Sequence, residues 1–64
     1  MRIAICDDNE LQIDIFTHRI NNFLKRSMDV EALITPYDKG QPLIDDMADG
    51  EWYDIVVLDV VLRE

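Results

Sequence analysis

"IAICDDNE", residues 3–10, runs four small or apolar residues straight into two neighbouring acids. An apolar run this short, followed at once by polar residues, reads as a strand covered on both faces, Ile3 to Cys6. Asn9 then offers a side-chain oxygen to the orphan backbone N–H groups of a helix start, and Glu10 suits the positive end of the helix dipole. Beyond it Ile13, Phe16, Ile20, Phe23 and Leu24 recur at three- and four-residue spacing. The polar residues Asp14, His18, Asn21, Asn22 and Lys25 fill the gaps, so the spacing predicts an amphipathic helix of about five turns. Lys25 and Arg26 fall where cations favour a helix C-terminus.

Working outward, Ala32 to Thr35 reads as a weaker second strand, ended by Pro36 and suited to a sheet edge. A second helix is expected from Lys39 or Gly40 to about Ala48, with Leu43, Ile44 and Met47 as its buried stripe and Pro42 in the first turn, where a missing N–H costs little. Gly50 breaks the chain. "YDIVVLDVVL", residues 53–62, then supplies a β-branched third strand ending near Asp59. The order β-α-β-α-β predicts an α/β fold with a parallel sheet, and right-handed crossovers put the helices on its faces.

In an open α/β sheet, ligands bind beyond the carboxyl ends of the strands. Asp7 and Asp8 follow the first strand and Asp59 ends the third. A strand order of 2-1-3 makes those strands neighbours, about 4.8 Å apart. The three carboxylates then share one crevice, where a doubly charged cation turns repulsion into attraction. Oxygen ligands without His or Cys select a hard ion, and Mg²⁺, which takes one or two carboxylates with waters and a phosphate oxygen, fits best. His18, on the polar face of the first helix, reads as a solvated side chain. For Asp7 and Asp8 the competing reading is loop and helix-cap chemistry. Asp59 resists a bland reading, because a lone acid seldom sits in an apolar run.

Together, "IAICDDNE", the amphipathic helix after it, "TPYDKGQPLI" and "YDIVVLDVVL" resemble the receiver domain of two-component response regulators, in the style of those that precede LytTR-type DNA-binding domains. The resemblance covers residues 1–64 but only the first half of the family's domain. It implies a flavodoxin-like doubly wound sheet shortened to three strands. It also implies that Asp59 is the phosphoacceptor and that Asp7 and Asp8 hold Mg²⁺, with the Val61 backbone carbonyl as a further ligand. A sensor histidine kinase is then the phosphoryl donor, and a transcriptional output is expected in a longer parent. Phosphoryl transfer asks mainly for alignment and charge neutralisation, which such a site supplies. Leu62 and Arg63 stand where the family often has a Met-Pro turn. The family's switch hydroxyl and phosphate-binding lysine have no counterpart in these residues.

Fourteen acids against six bases leave a net charge of −8, which repels nucleic acid and anionic membranes alike. Cys6 is the sole cysteine, so no intrachain disulfide forms, and it reads as a small core residue. No signal peptide or membrane span is legible, and the expected location is the cytoplasm. A third strand without a neighbour presents an apolar edge, so self-association through it is expected. Two other functions compete with the receiver. One is a pseudo-receiver or assembly module whose acids are remnants. The other is a haloacid-dehalogenase-type phosphohydrolase, which needs a second Asp where this chain has Val61.

Overall fold

The computed structural model describes residues 1–58. Five elements follow in order: β1 (Arg2–Cys6), α1 (Glu10–Met28), β2 (Leu33–Tyr37), α2 (Gly40–Ala48) and β3 (Ile55–Leu58). The three strands form a parallel sheet in the order β2-β1-β3. This is a small α/β domain with β1 at its centre.

Burial follows from that central place. Ile3, Ala4 and Ile5 are all at most 1% exposed, as an apolar strand paired on both sides requires. Alternation then splits the core in two. Ile3 and Ile5 pack with Ile13 and Leu24 of α1, while Ala4 packs with Tyr37 and Leu43 of α2. The helices therefore cover opposite faces of the sheet.

The ends of α1 are set by local chemistry. Asn9 Oδ1 accepts hydrogen bonds from the N–H groups of Leu11 and Gln12 at 3.0 and 3.3 Å. At the other end Asp29 takes a left-handed conformation, φ 51°, which a short polar side chain tolerates better than most. Helix α2 lacks a side-chain cap at Lys39. Its C-terminus closes by a Schellman pair: Glu51 N–H donates to Asp46 O, and Gly50 N–H to Met47 O.

Two expectations need correction. Pro36 does not end β2 but sits inside it, opposite Ile5. Leu33 N–H donates to Met1 O and Asp7 N–H donates to Tyr37 O. By alternation residues 33, 35 and 37 turn their polar groups inward, and Pro36 turns its missing N–H away from β1. An outer strand accepts proline at that position without losing a rung. Secondly, of the expected α2 stripe only Leu43 is buried; Ile44 and Met47 are 60% and 45% exposed. A nine-residue helix lying over one strand pair covers a single line of contact. Phe16 and Phe23 of α1 are likewise exposed, and with Ile20, Ile55 and Val57 they line an open apolar groove of about 410 Å³.

Candidate functional site at the carboxyl ends of the strands

Asp7 extends the ladder beyond β1. Its N–H donates to Tyr37 O at 2.9 Å, so its backbone is fixed by β2. Its side chain turns back on the loop, where Oδ1 accepts the Asn9 N–H at 2.9 Å. This is the loop chemistry that acids perform ahead of a helix. The residue is 8% exposed, the one buried polar or charged residue among those described. Asp8, next in the chain, is exposed.

The local sequence explains this arrangement. The ladder holds the strand as far as Asp7, and Asn9 begins the helix, leaving a tight connection that only short polar side chains satisfy. One Asp7 oxygen is spent on that connection. Two adjacent carboxylates match a hard divalent cation in kind, and the neighbouring Cys6 packs against the Ala4, Tyr37 and Leu43 cluster. Among the described residues no group of three His, Cys, Asp or Glu side chains gathers closely enough to hold a metal ion. The remaining expected ligands, Asp59 and the Val61 carbonyl, lie outside the described residues. The last pair of the described ladder is Cys6 with Leu58, and in sequence Asp7 follows the one and Asp59 the other.

Beside this end of the sheet an acidic cleft of about 430 Å³ runs between α1 and β2, lined by Glu10, Ile13, Asp14, Pro36, Tyr37 and Asp38. Sequence reasoning left Asp38 unremarked, although it follows β2 as Asp7 follows β1. His18 is exposed on α1, as expected of a solvated side chain. Cys6 is half-buried against the Ala4, Tyr37 and Leu43 cluster.

A polar network that the sequence did not reveal ties α2 and the segment before β3 to the sheet. The Tyr37 hydroxyl donates to Asp46 Oδ2 at 2.6 Å. Its single proton is thereby used, so in the 2.6 Å contact between hydroxyls Tyr53 is the donor. The bond to Asp46, and next the one to Tyr53, raise the Tyr37 phenol well above its ordinary range. At the amino end of the sheet the Arg2 guanidinium donates to Glu51 and lies 5.1 and 5.3 Å from the ring centroids of Trp52 and Tyr53. The Glu51 bond raises the Arg2 pKa, against a smaller opposing effect of burial.

Comparison with family models, with curated proteins and with solved structures gives no match. No helix among the described residues is long and apolar enough to cross a membrane.

Proposed function

We propose that the chain is a cytoplasmic receiver module of flavodoxin-like topology that accepts a phosphoryl group on Asp59 from a sensor histidine kinase. The observation that carries this reading is the register: β1 and β3 are parallel neighbours with Cys6 opposite Leu58, and each of those residues is followed at once by an acid of the motif. The strand order β2-β1-β3 supports it as well, since it makes the β1–β3 edge the place where strand order reverses.

In this reading the Asp7, Asp8 and Asp59 carboxylates and the Val61 carbonyl would hold Mg²⁺, which would supply positive charge to offset that of the phosphoryl oxygens. An Asp59 oxygen attacks phosphorus, and the bond to the donor imidazole nitrogen breaks with its electron pair leaving on nitrogen. In this reading the module is a switch rather than a turnover enzyme, and the process it serves is transcriptional control.

The test exposes the protein to acetyl phosphate with Mg²⁺ and follows intact mass. One added phosphoryl group that disappears on chelation of Mg²⁺ and in Asp59→Asn is the expected result. Equal labelling of Asp59→Asn, or none in the unaltered protein, rejects the reading.

A second reading, an assembly module, is favoured by one observation. Ile55, Val56 and Leu58 are 45%, 37% and 56% exposed and lie on both faces of β3. A second copy joined along that edge would cover them.

A further inference from the structure

From Ile55 to Leu58, β3 carries no polar residue. Strand register is ordinarily fixed by alternation, because a one-residue slip moves every buried side chain to the solvent face. Here a slip exchanges Ile, Val, Val and Leu among themselves over most of the run, and a polar residue enters the pairing only from its ends, where Asp54 and Asp59 flank it. Yet the register decides which residue of this segment stands beside Cys6. Something outside the apolar run has to mark it.

Asp54 is that mark. Its N–H donates to Arg2 O at 2.8 Å, the first rung between the strands. Its Oδ2 accepts the Arg2 backbone N–H at 2.8 Å, a donor at the start of β1 that the ladder itself leaves unmatched. A slip of one residue would bring Tyr53 or Ile55 to this rung, and neither carries a short side-chain acceptor. The Arg2 side chain adds a second hold through its bond to Glu51 and its place beside the Trp52 and Tyr53 rings. Residues 51–54 thus all engage one residue of β1.

We infer that Arg2 and Asp54 form a clamp that sets the register of β3 on β1 from the far end of the sheet. Its consequence for the site rests on the receiver reading above, in which Asp59 must reach a cation shared with Asp7 and Asp8. Both are positioning residues, remote from the carboxyl end where cation and phosphoryl donor would bind.

The experiment reads register directly, from cross-strand NMR contacts in the whole chain. The unaltered protein is expected to show Ala4 beside Val56 and Cys6 beside Leu58. Asp54→Asn, which keeps a side-chain oxygen acceptor, retains that single pattern. Asp54→Ala adds a second, slipped pattern while the β1–β2 contacts stay unchanged. In the double variant Asp54→Ala, Ile55→Asp the acceptor moves by one residue, and the pattern moves with it to Ala4 beside Val57. Retention of the original register in both Asp54→Ala and the double variant overturns the clamp. So does unfolding of the double variant, which keeps one acid at the rung. A parallel Mg²⁺ titration, followed at the Asp7 and Asp8 amides, is expected to weaken about tenfold in Asp54→Ala and to recover in Asp54→Asn. Absence of any Mg²⁺ effect in the unaltered protein counts against the receiver reading, and the register result is judged separately.

Discussion

Gly50 stands at φ 101° where α2 ends, in a region that side chains with a Cβ rarely adopt. No atom lies within 4 Å of a Cβ built there, so backbone conformation rather than crowding excludes other residues. Gly50→Ala is expected to cost about 1 kcal/mol, since the left-handed penalty outweighs the entropy saved in the unfolded chain. Urea unfolding measures it, and an unchanged midpoint would show that the Schellman turn opens at little cost. Asp7 illustrates the same scale on the functional side. One carboxylate oxygen serves the loop, so the loop reading of this acid holds whether or not the proposed metal role does.

At the scale of elements, α2 is held by one buried apolar residue and one hydroxyl rather than by a full apolar stripe. Leu43 is its one buried residue, and the Tyr37–Asp46 bond supplies the polar half of the attachment, with Tyr53 bonded in turn to the Tyr37 hydroxyl. Because these bonds raise the Tyr37 pKa, the sign of the linkage is fixed. The stabilisation is complete below the unfolded phenol value, about 10, and is lost as pH climbs from there toward the folded one. Tyr37→Phe keeps the ring and removes the hydroxyl. Its stability deficit against the unaltered chain should therefore be present at about pH 8 and shrink by about pH 11. Denaturant titrations at the two pH values test this, and a constant deficit would assign the stabilisation to something other than the neutral phenol.

On the scale of the whole molecule, the uncovered side of β3 dominates. Among the described residues its outer edge is unpaired and both its faces are apolar, with the groove against α1 adding Phe16 and Phe23. Such a surface is expected to associate, and sedimentation at rising micromolar concentration should show a growing average mass. A lysine on an exposed edge strand discourages pairing, so Val56→Lys should reduce that growth. A folded monomer at every concentration in the unaltered chain would remove the assembly reading. The net charge of −8 opposes association, so added salt is expected to strengthen it by screening.

Element type and order were legible in the residues themselves, because period and capping are local. The α1 spacing, the Asn9 cap and the apolar run of β1 needed no partner to be read. The acid pair after β1 was legible for the same reason. What only the tertiary structure decided involves residues far apart in sequence. Pro36 stays in β2 because its nitrogen faces away from β1, and only the pairing shows that. Ile44, Met47, Phe16 and Phe23 satisfy helical periodicity yet remain exposed, since periodicity states which side could be buried and not whether anything covers it. The Arg2–Asp54 clamp joins positions 52 residues apart, and a one-dimensional pattern holds no signal for such a contact.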